Sequence, residues 1–359
     1  MKRLVLLALW VLAAAPTWAE MDRAALLGLS ASVLKVEVLR VQGGYSLGSG
    51  VAVAPEKIVT NCHVTREALA VNVLRGGARW PAEAQMIDVD HDLCLLHVPG
   101  LQAQAVMLGR ADELKPGQPV TALGYTGGLA LQNSSGEVIA LHRLDGGRVI
   151  RSSNWFSSGA SGGGLFDEKL HLVGVLSFRL RGGEAHYYAA PVEWLRTMLD
   201  APVREGYGQI GPDRSQRLAY WQRPLDDQPW FLRAAILQRD DQWQQLESLT
   251  AEWARTDASD PEPWSLMAMA LARMNRPAEA RHALGCSLLL EPDAAIAPAR
   301  LVSVRLRPGQ PEQASPAAMS LPCSHGARSG PEDLLHGANA ACPGPSAPCV
   351  IDSASAQTR

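Results

Sequence analysis

No excess of positive charge is present. Lys and Arg number 33 against 36 Asp and Glu, a formal net charge of −3. A nucleic-acid binder carries a basic patch or stripe, so no nucleic-acid partner is expected. None of the six cysteines (Cys62, Cys94, Cys286, Cys323, Cys342 and Cys349) forms a C-x-x-C pair or a metal-like spacing with histidine. That pattern argues against a structural zinc site, and neither metal nor organic cofactor is expected. Beyond the first twenty residues no apolar run is long enough to span a bilayer, which excludes a stable membrane anchor there. What the chain does have is apolar mass. At 47% apolar residues it can bury a large core. Its 359 residues allow about two domains with additions.

Met1-Lys2-Arg3 precedes an apolar run from Leu4 to Ala15, and Thr17-Trp18-Ala19 places small residues before a cut at Glu20. This is the three-part pattern of a secretory leader. The run falls short of the roughly 20 residues of a membrane span. Residues 1–19 are therefore expected to be a cleaved signal peptide, and the protein to be periplasmic or secreted. From Val33 to Leu199, short Val-rich runs alternate with Gly, Pro, Asn and Asp. Val33–Val41, Gly50–Ala54, Lys57–Thr60, Val71–Leu74, Leu93–Val98, Val120–Tyr125, Glu137–Leu141, Val149–Ser152 and Leu172–Phe178 read as strands. Breaks every ten residues or so point to a mainly β sandwich or barrel. Pro191–Leu199 reads as a closing helix.

The character changes after Ala201. Residues 204–224 are polar and glycine-containing and read as a linker. Trp230 and Trp264 then stand 34 positions apart. Trp264, Met267, Ala268, Leu271, Ala280, Leu284 and Pro292 fall where a tetratricopeptide repeat places its signature residues. In the preceding segment Trp230, Ala234 and Leu237 fit, while Leu246 replaces the expected alanine. Residues 225–305 are read as a small all-α domain of such repeats, against the plainer alternative of two helical hairpins. Stacked repeats form concave surfaces that recruit protein partners. Residues 306–359, rich in Pro, Ala, Ser and Gly, read as a disordered tail.

The chemistry centres on Ser158-Gly159-Ala160-Ser161-Gly162-Gly163-Gly164-Leu165, followed by the apolar run Leu172–Ser177. A nucleophilic hydroxyl needs a tight turn that exposes it and backbone N–H groups close enough to hold an oxyanion. Glycine permits both. Upstream, Ile58-Val59-Thr60-Asn61-Cys62-His63-Val64 sets a histidine just after a strand, and Asp92 heads the strand that begins at Leu93. Asp88, Asp90, His91, His97, His142, His171 and His186 are rival titratable groups in the same region. Most such residues are solvated or structural.

With Gly48-Ser49-Gly50-Val51, Leu123-Gly124-Tyr125 and Gly174–Phe178 in the same order, residues 44–200 resemble a trypsin-like (chymotrypsin-fold) serine protease of the bacterial HtrA-like branch. The resemblance implies a double β-barrel over residues 20–203. It assigns Ser161 as nucleophile, His63 as general base and Asp92 as the group that orients it. It places the oxyanion hole at the N–H groups of Gly159 and Ser161, and gives Ser177 a supporting role on the aspartate. It puts the substrate backbone along Ser177–Arg179, with Trp155, Phe178 and Arg179 near the bound side chains. Trp155 would lie at the floor of the primary pocket. There are departures. Ala160 stands where trypsin has the aspartate that grips a freed N-terminus, and no PDZ-like domain follows Leu199. Cys62 precedes His63 and Cys94 follows Asp92 by two, so a triad would bring the cysteines together. They are expected either to form a disulfide worth about 3 kcal/mol or to pack as buried thiols.

The expected function is an exported serine endopeptidase acting on protein or peptide substrates, with a possible protein partner on the repeats. The triad is expected to survive removal of everything after Leu199. The rival is a catalytically weak, protease-like binding protein. A second rival, an esterase or other acyl hydrolase, is disfavoured because the Ser-Asp-His chain order of that fold is absent.

Overall fold

The computed structural model describes residues 23–181, 186–201 and 206–291. The leader at 1–19, the tail at 306–359 with Cys323, Cys342 and Cys349, and Pro292 of the repeat pattern lie outside them. After a short helix α1 (Arg23–Ser30), the chain lays down strands β1 (Val33–Arg40), β2 (Tyr45–Ala54) and β3 (Lys57–Thr60), then a one-turn helix α2 (Cys62–Thr65). Strands β4 (Ala68–Arg75), β5 (Ala78–Pro81), β6 (Ala84–Asp88) and β7 (Leu93–His97) follow. Alternation drives β1: Leu34, Val36 and Val38 are fully buried while Lys35 and Glu37 are half-buried between them, the period-two pattern of a strand with one face on a core.

The second set comprises β8 (Pro119–Thr126), β9 (Ala130–Leu144), β10 (Gly147–Ser152), β11 (Gly164–Phe166), β12 (Leu172–Leu180) and β13 (His186–Pro191), closed by helix α3 (Val192–Asp200). These six strands form a closed barrel in the order β10-β13-β12-β11-β8-β9. The first set forms an eight-stranded sheet, β14-β6-β7-β3-β2-β1-β4-β5, whose hydrogen bonds leave both ends open. Its outer strand, β14 (Tyr207–Gln209), pairs antiparallel with β6. The protein is thus mainly β, a barrel and a half-barrel of the chymotrypsin type with helices after them.

The stretch read as a linker is not one from Gly206 onward. It supplies β14, and Ala219 and Tyr220 are each 2% exposed. Beyond it stand two helical hairpins: α4 (Trp230–Arg239) with α5 (Trp243–Thr256), and α6 (Glu262–Arg273) with α7 (Pro277–Leu290). In α5 the buried residues Leu246, Leu249, Thr250, Trp253 and Ala254 follow the spacing of one helical face. Asp241 (φ 54°) and Asn275 (φ 59°) turn the two hairpins, a left-handed conformation that Asp and Asn tolerate better than most residues. Trp264 is 3% exposed. Trp230 is partly buried and stacks on Trp253 with centroids 6.5 Å apart.

One apolar cluster joins the halves. It holds Val51 and Leu93 of the first sheet, Phe166 and Tyr188 of the barrel, Trp194 of α3, Tyr220, and Phe231, Leu232 and Trp253 of the first hairpin. Around it, His142 of β9 stacks on Phe231 at 4.3 Å and is bonded through Nδ1 to Glu262 at 2.6 Å. Arg143 and Arg148 both reach Glu291. The helices are therefore packed on the barrel by shared core as well as by surface charge.

Candidate active site

Strand β3 ends at Thr60, and Asn61, in extended backbone, starts α2. Asn61 donates from Nδ2 to the carbonyl of Asp92 at 2.9 Å, and the Cys62 N–H donates to the same oxygen at 3.3 Å. Both bonds fix the turn carrying Asp92, whose φ is +59°. A disulfide joins Cys62 to Cys94 across the same junction.

Asp92 is 1% exposed. Its Oδ1 accepts the His63 backbone N–H at 2.9 Å, and its Oδ2 lies 2.7 Å from His63 Nδ1. Oδ2 also accepts the Ser177 hydroxyl at 2.9 Å and the Trp221 indole N–H at 3.2 Å. A buried carboxylate is stable only when its oxygens are this fully engaged. It places the ring proton on Nδ1 and leaves Nε2, on the far side, as the acceptor. Asp88 and His91 form a separate pair at 2.7 Å, with Asp145 at 3.2 Å from the other ring nitrogen. His91 is raised above the usual histidine range: burial works against that shift, and Asp88 and Asp145 outweigh it together.

Ser177 has its geometry from a bulge. In the β12–β13 register Leu176 faces Ala189 and Phe178 faces Tyr188, so Ser177 is the extra residue between them. Its side chain and carbonyl are thereby released from the ladder. The hydroxyl serves Asp92, and the carbonyl accepts the Ser161 hydroxyl at 3.2 Å. Among the described residues no hydrogen bond joins Ser161 Oγ to His63.

The loop before Ser161 is held from three sides. The Gly127 N–H donates to Ser158 O at 2.7 Å, the Gly162 N–H to Leu176 O at 2.8 Å, and the Ser49 N–H to Ser161 O at 2.8 Å. Ser49, fully buried in β2, also donates from its hydroxyl to Gly159 O at 2.7 Å while accepting the Tyr125 N–H at 2.8 Å. Gly159 has φ +96°, and a Cβ there would sit 2.5 Å from Tyr125 O. Gly162 has φ +85°, and its Cβ would meet Ser49 O at 2.1 Å. Only glycine fits either place. The N–H groups of Gly159 and Ser161 make no hydrogen bond among the described residues, which leaves two donors open beside the hydroxyl. The run Gly159–Gly163 also spells the G-x-S-x-G of a hydrolase elbow. Here, however, it leads into a strand, β11, of an antiparallel barrel, whereas the elbow leads into a helix.

Phe178 is buried, stacked on Tyr188 at 4.7 Å and on Trp221 at 4.8 Å. Arg179 points to solvent. Trp155 is 53% exposed, so its indole does not form a covered pocket floor, the place the family resemblance implies for it. Asn154 is the buried residue there, donating from Nδ2 to Val120 O at 2.9 Å. Among the described residues no three or more His, Cys, Asp or Glu side chains are grouped to hold a metal. Two residues of the site escaped the sequence: Ser49, visible only as part of a Gly-Ser-Gly motif, and Trp221, inside the supposed linker.

Residues 48–175 match the trypsin-like peptidase domain family. The human protein named serine protease HTRA4 is 30% identical over 165 residues, 42% of this chain and 34% of its own. A probable periplasmic serine endoprotease DegP-like of Ectopseudomonas mendocina is 34% identical over 158 residues, 40% of this chain and 32% of its own. A crystal structure of the Rv3671c protease from M. tuberculosis, in its active form, superposes with a TM-score of 0.48 at 22% identity, over 57% of this chain and 92% of that one. The chain spans about a third of the length of those curated relatives. Ser177, Trp221 and the helical hairpins lie beyond the matched stretch. Within it lie His63, Asp92 and Ser161, so all three fall in the stretch that matches the trypsin-like peptidase domain.

Proposed function

We propose that the protein is an exported serine endopeptidase with the triad His63, Asp92 and Ser161. The observation that carries this reading is the buried Asp92 bonded to both His63 N–H groups, with Ser161 on a glycine loop across from it. In the reaction the Ser161 hydroxyl exchanges its bond to Ser177 O for one to His63 Nε2. The base takes the proton as Oγ attacks the scissile carbonyl. Asp92 stabilises the imidazolium, and the Gly159 and Ser161 N–H groups hold the oxyanion. Collapse expels the amine, which takes the proton from His63, and leaves an acyl-enzyme. Water then repeats the sequence. The substrate backbone lies along Ser177–Arg179. The peptide-bound HtrA-type protease AlgW among similar structures is consistent with a peptide as substrate.

Export rests on the leader pattern, on the disulfide, which suits an oxidising compartment, and on relatives named as periplasmic. No helix among the described residues is long and apolar enough to cross a membrane. The two hairpins are proposed to be tetratricopeptide-like and to recruit a protein partner. One observation favours a second reading, a protease-like binding protein: the Ser161 hydroxyl is bonded to a carbonyl and not to the base. A peptide library separates the two. Cleavage by the wild type, lost in Ser161→Ala and in His63→Ala to similar and non-additive extents, supports the endopeptidase. Cleavage that persists in Ser161→Ala contradicts it.

A further inference from the structure

We infer that Trp221, in the segment that follows the barrel, is a positioning residue of the triad, so that the C-terminal part of the chain completes the catalytic site. This deepens the serine-protease reading and rests on it.

Three contacts define the place of the indole. Its N–H donates to Asp92 Oδ2 at 3.2 Å. Its face stacks on Phe178, centroids 4.8 Å apart and planes within 10°. The His63 ring stands edge-on to it, 5.5 Å away at 89°. Trp221 therefore touches the carboxylate, the base and the strand proposed to carry substrate. Asp92 Oδ2 is served by His63, Ser177 and Trp221 together, and the oxygen bonded to the imidazole is the one Trp221 also engages.

The segment is anchored, which makes the contact a fixed part of the site. The Tyr220 N–H donates to Asp90 O at 3.0 Å, and the Asp90 carboxylate receives Arg223 at 3.0 Å and also Arg217. Asp90 lies two residues before Asp92, so the turn that presents the triad carboxylate is the turn that holds Trp221. The Asp213 N–H donates to Arg66 O at 2.8 Å, beside α2. Gln228 donates to Trp221 O at 3.3 Å. Tyr220 packs between Phe178, Trp194 and Phe231, centroids 5.9–6.3 Å away. Behind His63 and Asp92 the gap toward Ala219 and Gln222 is only about 10 Å³, about the room of one water at most. The groups that titrate or carry charge around the pair are Tyr220, Asp90, Arg217, Arg223, Arg66 and Asp213, with His91 and Asp88 on the same turn. Burial first, and Asp92 next, raise the Tyr220 phenol well above its ordinary range, so it stays neutral.

A donor on Asp92 Oδ2 draws charge from that oxygen and fixes its direction. Loss of the indole N–H leaves His63 Nδ1 and Ser177 to share the oxygen. The imidazole bond then tightens and the imidazolium is favoured. The test is Trp221→Phe, which keeps the stacked ring and removes the donor, with Trp221→Ala as the larger change. Two readouts are taken on the full chain. The low-field proton resonance of the His63 Nδ1–H···Asp92 bond reads the contact without any turnover. The pH profile of labelling by a fluorophosphonate probe reads its consequence. In Trp221→Phe the resonance is expected to move further downfield, the acid limb of labelling to rise, and the rate at neutral pH to fall about tenfold, while the protein stays folded with a modestly lower melting temperature. Trp221→Ala is expected to lose more. A Trp221→Phe protein with the wild-type resonance, acid limb and rate overturns the inference. If the wild type takes no label but the resonance moves in Trp221→Phe, the protease reading fails while the positioning contact to Asp92 stands.

Discussion

At the scale of single residues, four donors on one carboxylate and two demands on one serine hydroxyl set the geometry. Ser49 Oγ bridges the Tyr125 N–H and the Gly159 carbonyl in a fully buried place. In Ser49→Ala the part-buried Tyr125 N–H loses its acceptor, at a cost of about 1 kcal/mol. We expect a lower melting temperature and a slower acylation of Ser161 without loss of the triad's pH profile, measured by thermal scan and probe labelling. Asp260 supplies a pH-dependent term. Burial first, and then Glu262, raise its carboxyl from 3.8 to about 7. Between those two values the folded chain keeps a proton that the unfolded chain has released, so stability from this group falls as pH rises from about 4 to about 7 and is then flat. Asp260→Asn keeps a side-chain acceptor near the Glu262 N–H, which Asp260 now caps at 3.0 Å. It is expected to flatten denaturation midpoints across that window, and an unchanged slope contradicts this. His63, Asp92 and Ser161 stood out in the sequence because each sits in a local context with chemical meaning. Trp221 did not, because its contact with Asp92 spans 129 positions and nothing in its neighbourhood encodes the partner.

At the scale of elements, the bulge at Ser177 and the Cys62–Cys94 bond do the positioning. The disulfide closes a 32-residue separation, which the loop-entropy account values at about 4 kcal/mol. Reductant, or Cys62→Ser with Cys94→Ser, is expected to lower the melting temperature and weaken labelling together without abolishing it. An unaltered melting temperature in the double variant contradicts this. Long Val-rich strands were legible: Lys57–Thr60 has the boundaries its pattern gave, and β1, β7 and β12 differ from theirs by a residue or two. Five strands were not. β11 has three residues and β14 three, too few to show alternation. β5, at one edge of the sheet, and β6, covered by β14 at the other, are short runs of mixed polar and apolar residues, and β13 follows a glycine pair and ends in proline. The Gln132–Gly136 part of β9 is polar and partly exposed, so pairing with β8 and not burial makes it a strand.

At the scale of the molecule, the helices cannot be treated as an appendage. Tyr220, Phe231, Leu232 and Trp253 belong to the same core as Phe166, Tyr188 and Trp194. A chain ending at Ala201 loses these residues, β14 and the Trp221 donor at once. The expectation that triad chemistry survives such a cut is therefore replaced. That truncation should unfold at lower temperature and label slowly or not at all, by calorimetry and probe kinetics. Retention of wild-type stability and labelling contradicts the shared core. The change of composition at Ala201 suggests a boundary because polar residues and glycines mark linkers, yet Tyr220, Trp221 and Phe231 carry the segment back onto the barrel, against Phe178 and Tyr188. The central claim is an activated Ser161 next to a base held by Asp92. The most direct measurement is the intact mass of the full-length protein after treatment with a fluorophosphonate, with the modified peptide sequenced. One adduct, on Ser161 and absent from His63→Ala, is the predicted result. No adduct under conditions where the protein is folded, or an adduct on another serine, contradicts the account.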